Sequence, residues 1–461
     1  MTVKKRLFGT KKFYVDALLL ALPVMGQSLV QNLVTLIDNF MVAGLGDIKM
    51  SGVSIVGDYV FVFTVLLNAI CMAGGIFVTQ YYGAKDKEGM KQAVYFKSIL
   101  GSILLVISFI ICFFFPRQVL GLMVIGNSQA EVIIDEGVKY LRVILLTGLP
   151  MLITYICSSS LKDTENVNVP LYFSIGAALV NMFFNYCFIY GNLGFPRLEL
   201  VGAAIATVIA RICETIAYLV YIKKTDAPFA IKIKDVVSID KRLFKDMLKT
   251  SIMVIVSESI WALAETVTTA VYNGRGGADV VSGMSASFTI ANLYFVAFGG
   301  INVATCVIIG KLLGEGKLDE AREKRRWLSS GITVFSLVIM LVAMSTSLLV
   351  PVLYGNLSVA AQTIAKEMVF YMALLMPPWI ILNVQLAIAR SGGDTKMGFI
   401  LDGLANLFLM IPIVVILAKF TNMGPVGIYI ISKIVDVVKV IACFFWLNQE
   451  KWLVNLTVKD A

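Results

Sequence analysis

The chain has 461 residues, 58% of them hydrophobic and 15% charged, with a formal net charge of +9 and a mean hydropathy of +0.85. Soluble domains average about 25% charged residues, so the composition excludes a string of soluble domains and points to a polytopic membrane protein. Histidine is absent, which removes His-ligated metals, Ser-His and Cys-His catalysis and a histidine proton relay.

Twelve apolar runs follow one another along the chain, at 14–40, 51–78, 93–115, 138–161, 170–190, 201–222, 247–273, 284–309, 329–351, 368–390, 398–419 and 425–447. About 20 apolar residues span the hydrocarbon as a helix, and the runs are continuous rather than alternating, so they predict helices and not a barrel. No small-residue cleavage site follows the first run, which is therefore expected to stay as a helix. That helix reads "QSLVQNLVTLIDNFMVAGLG" from residue 27. Gln27, Gln31 and Asp38 return to nearly one azimuth at 3.6 residues per turn, giving a polar stripe that ends in a carboxylate. Charging a lone carboxylate at mid-membrane costs from about 2.5 to more than 10 kcal/mol. A group under that pressure can take a proton on one side and release it on the other, or meet a sodium ion where carbonyl and amide oxygens stand close.

In the sixth helix Arg211 and Glu214 are three apart and predict a structural pair. The seventh carries "VSESIWALAETVTTAVYNGRGG", with Glu258 and Glu265 seven apart on one face and Trp261 a turn from each. An acidic face beside an indole suits a lipophilic cation. Lys433, Asp436 and Lys439 in the twelfth helix predict self-neutralised pairs. All seven cysteines fall in the apolar runs without a C-x-x-C and read as buried thiols. No G-x-x-x-x-G-K-[ST] run offers an ATP-binding loop.

Lys and Arg are unevenly distributed. Twenty-seven fall in or beside the N-terminus, the even loops and the C-terminus, against seven in or beside the odd loops. The asymmetry places both termini in the cytoplasm of a cell (inner) membrane. It also makes "KKTDAPFAIKIKDVVSIDKRLFKDMLK" a cytoplasmic linker at a phosphate-rich membrane surface rather than a nucleic-acid contact.

The chain repeats itself. "KMSGVSI" (49–55) answers "VVSGMSA" (280–286), and "YYGAKDKEGMKQA" (81–93) answers "LLGEGKLDEAREK" (312–324), setting Gly83 opposite Gly314. "SSSLKDTENVNVP" (158–170) answers "LAIARSGGDTKMG" (386–398), setting Lys162 opposite Arg390 and Pro150 opposite Pro378. "LVNMFFNY" (179–186) answers "LANLFLMI" (404–411), with Asn181 opposite Asn406 and, further on, Gly202 opposite Gly427. The expected organisation is an N-lobe of six helices (1–222), a linker (223–246) and a C-lobe of six (247–461). Six is even, so the repeats are parallel, and two such bundles around a central cleft are the architecture of a transporter.

These segments, taken in order, resemble the multidrug and toxic compound extrusion (MATE) family from residue 14 to about 450. The carriers are "DNFMVAGLG", "YYGAKDKEGMKQA", "LVNMFFNYCFIYG…LVGAAIATVIAR", "GKLLGEGKLDEA" and "ARSGGDTK". The resemblance implies twelve helices in two lobes, no cofactor, a monomer, and export of cationic or amphipathic compounds against inward H⁺ or Na⁺. It carries the family's N-lobe cation cluster onto Asp38, Asn181, Asn185 and Thr207. Many members have Asn-x-x-x-Asp on the fifth helix where this chain has "NMFFN". Asn185 thus replaces an acid, which weakens a sodium site at Asp38 and tilts the expectation toward H⁺. Where some members carry a seventh-helix glutamate this chain has Trp261, and the residues near Trp379 and Asn383 are neutral, so no C-lobe cation site carries over. Gln27, Gln31, Glu258, Trp261 and Glu265 are the expected substrate contacts. Two alternatives carry less: a lipid-linked saccharide flippase of the same superfamily, for which a basic cavity is expected, and a membrane enzyme, for which no nucleophile–base pair is found.

Overall fold

The computed structural model describes residues 6–124, 129–231 and 239–458, and these are helical without a strand. The helices are α1 (Lys11–Ala43), α2 (Asp47–Gly83), α3 (Lys87–Phe114), α4 (Ala130–Asp163), α5 (Asn168–Tyr190) and α6 (Glu199–Thr225), followed by α7 (Lys241–Asn273), α8 (Ala278–Gly314), α9 (Leu318–Leu353), α10 (Val359–Leu374 with Met376–Ser391), α11 (Thr395–Phe420) and α12 (Pro425–Leu447). Ten of them are long and apolar enough to cross a membrane, and α10 makes eleven as a pair bent by 44°. The twelfth, α12, is 23 residues long, about 35 Å, and differs only in carrying Lys433, Asp436 and Lys439. Twelve spanning helices in two lobes follow.

Proline accounts for two interruptions. A proline lacks the N–H that would bond the carbonyl four residues back, and its ring crowds that carbonyl. Four before Pro150 is Leu146, inside the 3₁₀ turn Leu145–Thr147 that interrupts α4. Four before Pro378 is Leu374, where the first half of α10 ends. The repeated prolines therefore break repeated helices at the same place. Helix α11 contains the π-helical turns Phe399–Leu404 and Asn406–Met410, which its sequence did not announce.

The helices form two compact units. The N unit comprises Gly26–Val78 and Asp86–Met247; the C unit takes the chain up to Met25, Thr79–Lys85 and the chain from Leu248 on. The N unit has a core of Ile55, Val56, Leu120, Ile133 and Leu141. The C unit has one of Ile309, Leu313, Ile380, Ile388 and Trp452. Large apolar side chains also point outward, among them Ile103, Val106, Ile107 and Ile110 on α3 and Leu337, Val338 and Leu341 on α9. That is the surface a helix presents to lipid. Of the expected linker, residues 232–238 lie outside the described residues, as do the terminal residues 1–5 and 459–461.

Within the C unit the ends of α2 and α8 cross reciprocally. A Cβ on Gly83 would strike the Lys311 carbonyl oxygen, one on Gly314 would strike the Gln80 carbonyl oxygen, and one on Gly310 would meet the Thr79 side chain. Positions 79, 80 and 83 stand in the first repeat where 310, 311 and 314 stand in the second. Gly310 thus meets its own counterpart, and Gly83–Lys311 and Gly314–Gln80 are one contact made twice, as a local two-fold axis requires.

Candidate functional site

In the N unit, α5 brings Asn181 and Asn185 to one face, four residues apart. Asn185 Nδ2 donates to Asp38 Oδ1 on α1 at 2.6 Å and to Asn181 Oδ1 at 3.1 Å. Asn181 Nδ2 donates to Thr207 Oγ1 on α6 at 3.3 Å, and Thr207 donates to the Ala203 carbonyl at 3.0 Å. Asp38 is half-buried, while Asn181 and Asn185 are 4% and 1% exposed. The four residues carried over by resemblance thus form one hydrogen-bonded chain. Tyr140 of α4 is within reach of Asp38 and Thr207, and Arg211 lies within electrostatic range of the carboxylate. The Oδ1 of Asn185 is buried with no hydrogen-bond partner among the described residues. One carboxylate with amide and hydroxyl oxygens is a donor set that suits a proton or a hard monovalent cation.

Gln27 sits lower in the same unit. It is 6% exposed, donates to Ser158 and Ser174 at 3.4 and 3.1 Å, and accepts from Lys162 at 3.5 Å. Ser174 in turn donates to Glu214 at 3.5 Å, which pairs with Arg211 at 2.8 Å, as its spacing predicts. Gln31 is exposed and joins neither group.

The acidic face of α7 divides. Glu258 accepts from Arg390 of α10 at 2.7 Å. Gln27 and Glu258 are separated by the same 231 positions as Gly83 and Gly314, so Lys162–Gln27 and Arg390–Glu258 are one contact made twice. Glu265 and Trp261 instead line a small cavity with Trp379, Asp402, Asn406 and the charged residues of α12. There Lys439 is held by Asn406 at 2.6 Å, Asp402 at 3.0 Å and Asp436 at 3.3 Å. Lys433 lies 3.6 Å from Asp436 and 4.8 Å from the centre of the Trp379 ring. The three α12 charges pair as their spacing predicts, but Lys439 also reaches across to Asp402 and Asn406 of α11, and Lys433 puts a charge beside Trp379.

Asp402 and Asn406 are the residues sequence reasoning missed. The signal was present: Asn406 stands opposite Asn181, and Asp402 is four before it. Arg211 and Asp436, like Glu214 and Lys439, are separated by the same 225 positions as Asn181 and Asn406. The two repeats place a charged pair at equivalent positions with opposite polarity.

Two helical units, each enclosing buried polar groups between apolar helices, define a polytopic membrane transport protein. The chain belongs to the MatE family, whose pattern matches residues 23–187 and again 253–416, one match in each repeat. A relative named "Probable multidrug resistance protein NorM" from Thermotoga maritima is 22% identical over 448 residues, covering 94% of this chain and 92% of its own length. "Probable multidrug resistance protein YoeA" from Bacillus subtilis is 23% identical over 402 residues, 83% of this chain and 82% of its own. Among solved structures, "Outward-facing conformation of a multidrug resistance MATE family transporter of the MOP superfamily" superposes with a TM-score of 0.82 at 21% identity, covering 99% of this chain and 100% of that one.

Proposed function

We propose that this chain is a secondary active antiporter of the cell inner membrane, exporting cationic or amphipathic compounds in exchange for H⁺ or Na⁺ by alternating access. The names of its relatives support the cargo, and the Asp38–Asn185–Asn181–Thr207 chain carries the coupling. A proton on Asp38 would supply the donor that Asn185 Oδ1 lacks, and turning the Asn185 amide would then exchange its partners. A sodium ion would be met by Asp38 together with the Asn185, Asn181 and Thr207 oxygens. Either cation changes the bonding between α1, α5 and α6, which is the local event an antiporter needs. With a single carboxylate in the set, H⁺ is the better-supported ion. Glu265 and Trp261 are the substrate contacts in the C unit. The excess of acid there opposes the pyrophosphate cargo of a saccharide flippase.

The test is transport in proteoliposomes under separately imposed pH and sodium gradients. Native protein is expected to drive ethidium efflux with the pH gradient. Asp38→Asn, which keeps the shape and loses the titratable group, is expected to reduce that efflux to the level without a gradient. Undiminished gradient-driven efflux by the Asn variant would remove Asp38 from the mechanism.

A further inference from the structure

The two lysines of α12 are bonded in different ways. Lys439 is 4% exposed and is held by three oxygen acceptors between 2.6 and 3.3 Å. That is the environment of a structural charge. Lys433 has one loose carboxylate contact, Asp436 at 3.6 Å, and otherwise faces aromatic rings, Trp379 at 4.8 Å and Tyr429 at 5.7 Å. Rings plus a carboxylate at the edge of a cavity are how proteins recognise a mobile organic ammonium. The cavity presents three carboxylates, Glu265, Asp402 and Asp436, to two lysines. Lys439 satisfies Asp402 and Asp436 Oδ1, which leaves Asp436 Oδ2 beside Lys433 and Glu265 within its electrostatic range.

We propose that Lys433 is a tethered occupant of a cation box in the C unit, standing where the ammonium of a small organic cation stands during transport. The inference rests on the reading of Trp261 and Glu265 as substrate contacts and adds what fills the box between cargoes. Lysine carries its charge on a flexible four-carbon stem, so the ammonium can leave the Trp379 face without unfolding α12. A cationic cargo then competes with a resident charge. Its apparent affinity falls by the fraction of time the box is already filled, and the box never presents bare acid to the bilayer interior.

The measurement is binding of radiolabelled tetraethylammonium to the purified full chain. Lys433→Gln is expected to tighten binding by about tenfold or more. Trp379→Leu in the Gln background is expected to erase the gain. Unchanged or weaker binding by Lys433→Gln, while Glu265→Gln and Trp261→Leu still weaken the native protein, would overturn the tethered occupant and leave the substrate site standing. Native binding that ignores Glu265→Gln and Trp261→Leu would sink the site itself. A second measurement does not need the Gln variant to fold well. Lys433→Ala is expected to be stabilised against heat by millimolar n-butylammonium and not by n-butanol, with no such effect on the native chain. Equal responses of Lys433→Ala and native protein would overturn the proposal.

Discussion

Asn185 decides what Asp38 can hold. Its Nδ2 serves both Asp38 and Asn181, so its buried Oδ1 is left without a partner among the described residues. Replacing it with Asp restores the acid that many family members have and sets two carboxylates side by side. Like charges at that separation oppose each other, and a bound cation relieves them. Asn185→Asp is therefore expected to raise sodium affinity about tenfold, about 1.4 kcal/mol. The check is the thermal midpoint in detergent as Na⁺ replaces choline at constant ionic strength, since a ligand that binds only the folded state stabilises it. A midpoint that rises with Na⁺ no more steeply than in native protein would show that the Asn185 position does not tune the ion. At this scale the sequence was partly legible. The four residues of the N-unit chain are legible in the sequence, because a family pattern fixes residue types at fixed spacing. For the α7 glutamates the sequence gives azimuth alone. Seven residues bring the chain back to one face but also raise it about 10 Å along the axis, so Glu258 meets Arg390 while Glu265 meets the cavity. Gln27 and Asp38 part for the same reason. Asp402 escaped notice because π-helical turns shift the register in a way no local periodicity records.

Helix number and order were legible because hydropathy acts over 20 residues at a time, and the repeat was legible because glycines and prolines recur where backbone geometry demands them. What the spacing could not tell is what each glycine faces. Gly83 and Gly314 each lie against the partner helix's backbone, which cannot step aside as a side-chain tip can. Gly83→Ala and Gly314→Ala are each expected to cost about 1–3 kcal/mol. Together they should cost less than the sum, because one separation of α2 from α8 relieves both. Gly57 and Gly176 are also helical but meet nothing within 4 Å. Their Ala variants should be neutral or stabilising by about 1 kcal/mol. Thermal midpoints of the four single variants and the double check this. Full additivity at 83 and 314, or equal costs at all four sites, would remove the shared crossing.

At the scale of the molecule, the compact units do not coincide with the halves of the sequence. The end of α2 belongs to the first repeat by descent and to the C unit by packing, and the chain's last described segment holds it there. Trp452 is wholly buried and donates its indole N–H to the Leu447 carbonyl at 3.1 Å. Gln80 donates to the carbonyls of Ser391 at 2.6 Å and Val454 at 3.2 Å, and accepts from the Leu456 amide at 2.6 Å. Asn455 donates to the Gly314 carbonyl at 3.3 Å, and Glu450 pairs with Arg322 of α9 at 2.9 Å. Residues 449–458 thus strap together the ends of α2, α8 and α9 and the turn after α10. The strap also breaks the local symmetry. Gln80 bonds to it, whereas Lys311, its counterpart, lies over the Tyr82 ring at 5.5 Å. Nothing in the pattern of the last residues announces this, because a short polar tail reads as solvated until its one tryptophan is seen buried. Removing a buried Trp side chain costs about 3–5 kcal/mol, and the loss should open the strapped ends first because local stability follows local burial. Deleting residues 449–461 is expected to speed amide hydrogen exchange tenfold or more, about 1.4 kcal/mol of local opening, in peptides covering 79–85, 311–318 and 391–396. Peptides from α5 and α6 in the N unit should exchange as in the full chain. Uniform acceleration in both units would mean that the tail supports the fold globally, and no acceleration at 79–85 would mean that Gln80 is held by α8 alone.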